Sequence, residues 1–482
     1  MTANYIFGFL SLFVESMSNV EGLRALFIKA DKIIGNAIKN RDNILVISHY
    51  DADGLSAVSL FIKYLMEKGA SFQVKFVEQI YPVVLDKISL KDYDTIILVD
   101  LGSGYKDFLL ERMSNKQVVI FDHHIPQGEI KSDKVLEINP YKHGVDASTE
   151  ISASGLVYMF FKENSYIARS FVHLALVGAL GDRQDNGPKF SLSGLNKDIL
   201  VEAKSYGIVE EYLGLRLFGI SHRPLVRALA YTMDPYIPGL SGNEAACYNF
   251  LKKINIEPKQ GDKLRDYKSL SLEEIKTLAT ELIKYLLTNG VPLHEAERIF
   301  GYSYYLTKEP PTSPLRDLRE YAYMLNALGR MEYYETAVAL NIGIRGQYFV
   351  RALDALREYR RKLSKAISTV LDNMDKLAFM GKNSLILNLD EMIPPKFTGP
   401  LASMLSVLIP SKYRERVKII GVLTSFDEEY VKISFRRLVD EIDVGRLLYD
   451  LSQKIGGTGG GHPAAGGIFI EKNKIQKLYE YL

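Results

Sequence analysis

Between residue 43 and about residue 182 the chain alternates short, continuously apolar, β-rich runs with stretches of helical periodicity. The runs are 43–48, Phe72–Val77, Thr95–Val99, Gln117–Phe121 and Val135–Ile138. A strand that is apolar throughout must be covered on both faces, and the intervening helices supply that cover. The pattern therefore predicts an α/β fold built on a parallel sheet. Sheets of this kind bind ligands outside the carboxyl ends of their strands, so chemistry-bearing residues should fall just after the apolar runs.

The sequence obeys that rule. His49, Asp51 and Asp53 close the first run. In an extended backbone, side chains two apart share a face, which would aim these three the same way and make a set of oxygen and nitrogen metal donors. The same stretch also reads as an ordinary strand-to-helix turn at Gly54, with aspartates that only cap the helix patterned over 55–66. Asp100 directly follows the third run, and Asp122-His123-His124 the fourth. Gly181-Asp182 ends a helical run over 165–177. Each alone is a turn, cap or surface feature; four such clusters in one unit point to one site. Several carboxylates offset the charge of two divalent ions, and imidazoles complete the coordination. Two ions ~3.5–4 Å apart can clamp the attacking and leaving oxygens of an in-line phosphoryl displacement. Donors without thiolate favour Mn²⁺ or Mg²⁺ over structural zinc.

In this order, His49-x-Asp51-x-Asp53-Gly54, Asp100, Asp122-His123-His124 and Gly181-Asp182 resemble motifs I to IV of the DHH phosphoesterase superfamily. That superfamily includes RecJ exonucleases, small oligonucleotide phosphodiesterases and family II pyrophosphatases. The resemblance implies that His49, Asp51 and Asp100 hold one divalent ion, usually Mn²⁺. Asp53, Asp100, His123 and Asp182 would hold a second, with Asp100 bridging. It also implies that His124 faces the scissile phosphate and that Asp122 orients the histidines. The motif I histidine stands two residues before the first Asp here, against four in some members.

A second signature lies near the end of the chain. Gly456-Gly-Thr-Gly-Gly-Gly-His462-Pro-Ala-Ala-Gly-Gly467 sits between a helical run over 447–455 and the apolar run 468–470, which is no place for a flexible linker. Glycines let backbone N–H groups approach an anion closely, and a histidine there can bond a phosphate. The segment resembles the GGGH motif of the DHHA1 domain. The resemblance implies that a loop bearing Gly459, Gly460, Gly461 and His462, together with Arg436, holds the substrate phosphate. It also argues against pyrophosphatase, whose second domain lacks the glycine signature.

The expected architecture is an α/β DHH domain over 1–200, a mostly helical insert over 201–346, a connecting helix over 347–375 and a smaller α/β DHHA1 domain over 376–482. In the insert, 242–254 and 271–288 have amphipathic helical patterns. Ser303-Tyr-Tyr-Leu306, with the loop after it, forms either a partner or substrate surface or, as the safer reading, core aromatics. Arg316 and Arg319 either reach a nucleic-acid backbone or pair with Asp317 and Glu320. The connecting helix has an apolar stripe through Phe349, Leu353, Leu356, Leu363, Ile367 and Val370. Its basic residues, Arg351, Arg357, Arg360, Arg361, Lys362 and Lys365, form either a solvated face or the lining of a phosphate groove.

Composition narrows the classes. Net charge is +2, with 60 basic against 58 acidic residues, so any nucleic-acid surface must be a local patch. The single cysteine, Cys247, excludes an intramolecular disulfide, fits a reducing interior and suits a buried position. The apolar stretch 5–14 is too short to span a membrane and has no basic residue before it. It is read as the start of a helix packed on the first domain, in a soluble cytoplasmic protein.

The leading expectation is a Mn²⁺- or Mg²⁺-dependent exonuclease of the RecJ type acting on single-stranded DNA or RNA, in replication or repair. The order of insert and tail is similar to archaeal RecJ-like proteins, including the GINS-associated nuclease. This implies GINS and MCM replisome proteins as partners and no membrane. Two alternatives stand beside it: a non-catalytic replisome scaffold, as in the eukaryotic helicase subunit of this fold, and a phosphodiesterase for cyclic dinucleotides or very short RNA.

Overall fold

The computed structural model describes the backbone of residues 2–104 and 106–482, and the side chains of all but 1–19, 105–107 and 411. Its contacts divide the chain into two units, Met1–Arg223 with Phe300–Leu356, and Pro224–Ile299 with Arg357–Leu482.

The first unit is built on five parallel strands, β1 (Ile44–His49), β2 (Phe72–Val77), β3 (Thr95–Val99), β4 (Gln117–Phe121) and β5 (Val135–Ile138). They lie in the order β2-β1-β3-β4-β5. Strands β1, β3 and β4 are buried almost throughout, as their apolar sequences require, while the edge strand β2 alternates. The strand order reverses direction at β1 and β3, which marks the carboxyl ends of those strands as the place for a ligand. The helix Ala52–Glu67 is buried on nearly every side, as an all-round apolar helix must be. Phe61 and Tyr64 on it meet Phe160 of the helix Ala153–Asn164.

The helix Thr2–Asn40 includes the apolar stretch 5–14, whose expected packing falls on side chains outside the described ones. Further along it, Leu23, Phe27, Ala30 and Ile34 are buried. Among the described residues, no helix is long and apolar enough to cross a membrane.

After the helix Gly194–Ser205 comes β6 (Val209–Leu215). A short hairpin of β7 (Lys259–Gln260) and β8 (Lys263–Leu264) lies in the insert, and β9 (Phe300–Leu306) follows it. β6 and β9 pair antiparallel, Tyr212 opposite Ser303. That ladder groups 201–223 and 300–346 with the first unit, so the insert by contacts is 224–299, narrower than the 201–346 expected. Ser303, Tyr304, Tyr305 and Leu306 are buried in β9, which agrees with core aromatics.

Arg316 and Arg319 take partners beyond the Asp317 and Glu320 expected of them, and Arg319 also favours the Asp317 carboxylate electrostatically. Arg316 binds the Glu210 carboxylate at 2.6 Å and the Glu309 carbonyl at 2.8 Å. Arg319 is buried and donates to the Arg216 carbonyl at 3.1 Å. Glu320 pairs with Arg223 at 2.5 Å.

In the second unit the insert helices are Glu244–Lys253 and Leu272–Thr288, the latter opened by a Ser271/Glu274 capping box. Cys247 is buried, its Sγ–H donates to the Leu240 carbonyl at 3.3 Å, and burial pushes the thiol up to about 12. A six-stranded sheet makes the rest: β10 (Ala378–Met380), β11 (Ser384–Asn388), β12 (Ile419–Ser425), β13 (Tyr430–Arg437), β14 (Thr458–His462) and β15 (Ala465–Glu471), in the order β10-β11-β12-β13-β15-β14. The glycine-rich segment is therefore an edge strand hydrogen-bonded to β15, not the loop the sequence suggested.

The connecting helix runs Gln347–Asp372, three residues shorter than the 347–375 expected. Leu356, Leu363, Ile367 and Val370 of its stripe are buried, and Phe349 and Leu353 half-buried. Arg351, Arg357, Arg361, Lys362 and Lys365 are exposed, while Arg360 lies over the Tyr231 ring at 5.1 Å.

Candidate functional site

β1 ends at His49, so an extended face does not carry all three motif I residues. Asp51 is the N-cap of Ala52–Glu67, and Asp53 stands in the first helical turn. Cap and candidate ligand coexist in Asp51 because a carboxylate has two oxygens. Oδ1 accepts from the Gly54 amide at 3.0 Å, and Oδ2 lies 3.1 Å from His49 Nδ1. Asp53 enters from the helix side, its oxygens accepting from the amides of Ala153 at 2.7 Å and Ser154 at 2.9 Å. Those amides open the helix Ala153–Asn164, whose N-terminus favours an anion. A Cβ on Gly178 would lie 2.1 Å from Asp53 Oδ1, which is why that position in the helix Val172–Gly181 has no side chain.

Asp100, one residue past β3, has a left-handed backbone with φ 61°. Such a conformation costs a non-glycine residue about 1–3 kcal/mol and persists where a site holds it. Its two oxygens face different neighbours: Oδ2 is 3.4 Å from His49 Nδ1, and Oδ1 is 3.4 Å from His123 Nε2. His123 Nδ1 is 2.9 Å from the Ala147 carbonyl. A carbonyl can only accept, so Nδ1 carries the proton and Nε2 is offered to Asp100, to Asp182 Oδ2 at 3.2 Å and to Asp53 Oδ2 at 3.9 Å.

Asp122 is buried and works on its neighbours. Its Oδ1 accepts from His124 Nδ1 at 2.7 Å and from the His124 amide at 3.1 Å, and its Oδ2 accepts from the Ser103 amide at 2.8 Å. His124 is thereby turned with Nε2 as the ring nitrogen that can meet a substrate oxygen.

Two groups of three thus gather, His49 with Asp51 and Asp100, and Asp53 with His123 and Asp182; in each, the ligand atoms lie within 4.8 Å of one another. Asp100 also groups with His123 and His124. His49 Nδ1, Asp100 Oδ1 and His123 Nε2 are buried and make no hydrogen bond. At about 1–3 kcal/mol for each unsatisfied buried polar group, three converging on one spot suit a cation that would complete them. The donor set fits divalent ions.

The protonation pattern agrees. Burial opposes the charge on His49, yet Asp51 and Asp100 outweigh it and push the imidazole up to about 10. His123 is likewise raised against burial by Asp100 and Asp182. Burial raises the Asp53 carboxyl, and Asp182 and Asp100 raise it further. Burial also raises Asp182, with Asp51 adding to it. Burial works against the Asp122 carboxylate, but His124 and His123 pull its pKa well below the usual range. Negative charge is in excess and calls for a cation.

Ser103, Asn139 and Gln184 were not singled out from the sequence. Asn139 Nδ2 donates to the His124 carbonyl at 2.8 Å, and Gln184 Nε2 to the Ala147 carbonyl at 3.0 Å. Asn139 follows β5 as the donors follow their strands, so the same rule finds it. Ser103 acts through its backbone amide and leaves no signal.

In the second unit, the register sorts the glycines into two kinds. On β13, Lys432, Ser434 and Arg436 share one face; their partners on β15 are Phe469, Gly467 and Ala465, and beyond those on β14 lie Thr458, Gly460 and His462. On the opposite face, helix Val444–Ile455 packs so closely that a Cβ on Gly459 would lie 2.5 Å from the Leu448 carbonyl, and one on Gly466 2.9 Å from Leu448 Cδ1. Gly461 is crowded too, its Cβ meeting the Ala465 carbonyl at 2.4 Å. A Cβ on Gly460 would meet nothing within 4 Å, and one on Gly467 only the Ile433 carbonyl at 3.5 Å. Packing explains Gly459, Gly461 and Gly466. Gly460 and Gly467 instead form a bare floor beside Lys432, Arg436 and His462. Arg436 is held there by bonds to Ser403 Oγ at 2.8 Å and the Gly399 carbonyl at 3.1 Å. Burial, then Arg436, pushes Lys432 down to about 7.

Comparison with known proteins finds three matched segments: the DHH family N-terminal domain at 43–179, the DHH-CID domain at 217–300 and the DHHA1 domain at 394–482. The uncharacterized protein MJ0831 of Methanocaldococcus jannaschii is 29% identical over 462 residues, 93% of this chain and 95% of that one. Among solved structures, CDC45 from Entamoeba histolytica is similar over 94% of this chain and 96% of that one, with TM-score 0.60 and 12% identity. RecJ from Thermus thermophilus, in complex with Mn²⁺, is similar over 96% of this chain with TM-score 0.52 and 15% identity. The chain spans 55% of that RecJ. At such identities the likeness is one of fold.

Proposed function

Because the chain belongs to the DHH/DHHA1 phosphoesterase superfamily as a RecJ-like member, we propose that it is a two-metal phosphodiesterase that degrades single-stranded DNA or RNA as an exonuclease. The observation that carries this reading is Asp100, which turns one carboxylate oxygen toward the His49 group and the other toward the His123 group. His49, Asp51 and Asp100 would hold one ion; Asp53, Asp100, His123 and Asp182 the second. We take the ions to be Mn²⁺ or Mg²⁺, from the oxygen and nitrogen donors. When bound, they supply Lewis acidity to an in-line phosphoryl displacement.

The protein's own residues do the rest. Asp122 fixes the His124 ring, which contacts the scissile phosphate. The backbone of Gly459, Gly460 and Gly461, with Arg436 and His462, receives a further substrate phosphate. The open Gly460 and the two flanking cations support that assignment. The resemblance to archaeal RecJ-like proteins makes GINS and MCM the candidate partners. A scaffold without catalysis is the second reading, against which the complete donor set weighs.

End-labelled single-stranded DNA and RNA, incubated with Mn²⁺, with Mg²⁺ or with chelator, test the proposal beside an Asp53→Ala, Asp100→Ala double variant. Metal-dependent shortening that the variant abolishes is the expected result, and the order of label loss gives the polarity. Wild-type cleavage no greater than the variant's, despite bound metal, would exclude the nuclease.

A further inference from the structure

The helix Leu318–Arg330 lies outside all three matched segments, yet its last two turns touch the backbone that carries the first two candidate aspartate ligands, Asp51 and Asp53. Asn326 Oδ1 accepts from the Ala52 amide at 3.2 Å. Ala52 stands between Asp51 and Asp53 and opens the helix Ala52–Glu67, so its N–H has no partner within that helix. One turn on, Gly329 is pressed against the same loop: a Cβ there would fall 1.8 Å from the Tyr50 carbonyl oxygen. These two contacts hold the backbone of residues 50–52.

The helix is a fixed reference for them. Its other end is tied by Asp317, which caps it at the Arg319 amide, and by the buried Glu320, paired with Arg223. Leu318, Met324, Leu325 and Leu328 are fully buried along it. That apolar face holds the helix in place without Asn326, which is only half-buried. The polar contact is therefore surplus to packing and specific to the loop.

We propose that Asn326 and Gly329 are positioning residues of the metal centre, setting peptide 50–53 so that Asp51 and Asp53 present their oxygens to the two ions. The inference rests on the metal-centre reading and adds a segment 274 residues distant in sequence. Neither residue touches an ion or substrate; both act through the loop.

Mn²⁺ alone is the probe, titrated into the full chain with free Mn²⁺ followed by electron paramagnetic resonance and the fold by thermal melting. Asn326→Leu keeps size and removes the acceptor, and should weaken Mn²⁺ binding about 10–100-fold, the scale on which outer partners act on a metal site. Asn326→Asp keeps the oxygen and should bind as well as wild type or better. Gly329→Ala should lose at least as much as Asn326→Leu. If Asn326→Leu does not fold, Asn326→Ser, whose hydroxyl falls short of Ala52, is read in its place. A merely structural residue would lower melting without separating the Leu and Asp variants in Mn²⁺ affinity. Equal affinity in wild type, Asn326→Leu and Gly329→Ala overturns the inference alone. No Mn²⁺ bound by the wild type overturns the metal-centre reading and the inference with it.

Discussion

At the ends of β1, β3 and β4, five aspartates gather with three histidines; on β14 and β15, two bare glycines lie on one face with Lys432, Arg436 and His462. The first region is made of side chains, the second largely of backbone. Their charges are opposite, and so are the responses of their titrating groups. Negative neighbours raise His49 against burial, burial and then negative neighbours raise Asp53, whereas burial and then Arg436 lower Lys432. The first region suits a cation and the second an anion.

The largest effect that separates the two regions should come from Asp100→Ala. It removes the residue facing both donor groups and should lower metal-dependent cleavage by about 10³-fold or more, since a metal's Lewis acidity supplies several kcal/mol. Binding of a short single strand in chelator should stay near wild type, because the glycine shelf is untouched. Steady-state cleavage and fluorescence anisotropy on the same protein give the two numbers. Equal losses in both would mean that the regions are not chemically separate.

A finer division runs through the glycines themselves. Gly459→Ala drives a Cβ against the Leu448 carbonyl and should destabilise the second unit by about 1–3 kcal/mol, the usual cost of overpacking. Gly460→Ala has open space and should shift stability by no more than ~0.5 kcal/mol, while weakening single-strand binding. Denaturant melts and anisotropy on both variants check this. If Gly460→Ala binds as wild type does, the floor is not where phosphate sits.

The same division explains what could be read from the chain beforehand. Strands β2 to β5 begin and end where the apolar runs do, and Asp100 and Asp122 fall just past two of them, because burial on both faces leaves a plain trace in composition. The exception in that region is Asp53. Period-two reasoning put it on a strand face, but Asp51 had already started the helix, and the carboxylate arrives by a different path. Backbone roles left a weaker trace. A dense glycine run looks the same whether it forms a loop or an edge strand, and only the register tells Gly459 from Gly460. Asn326 had no trace at all, since one amide oxygen placed by tertiary packing has no local pattern.

The smallest effect should come from Lys432, and its sign tests the polarity of the second region. Its ordinary value is 10.5 and the folded protein holds it at about 7. Below pH 7 the side chain is charged in both folded and unfolded chains, and the folded state bears the full cost of burying that charge beside Arg436. Between 7 and 10.5 the unfolded chain binds the extra proton, so stability from this group rises with pH. Lys432→Met should therefore raise the melting temperature most at pH 7 and below, and the gain should shrink toward zero as pH approaches 10.5. Saturating phosphate should reduce the gain at pH 7, because an anion on the shelf compensates the charge that methionine removes. A gain that stays flat from pH 7 to 10 would mean that Lys432 is solvated and titrates as a free amine, not buried beside Arg436.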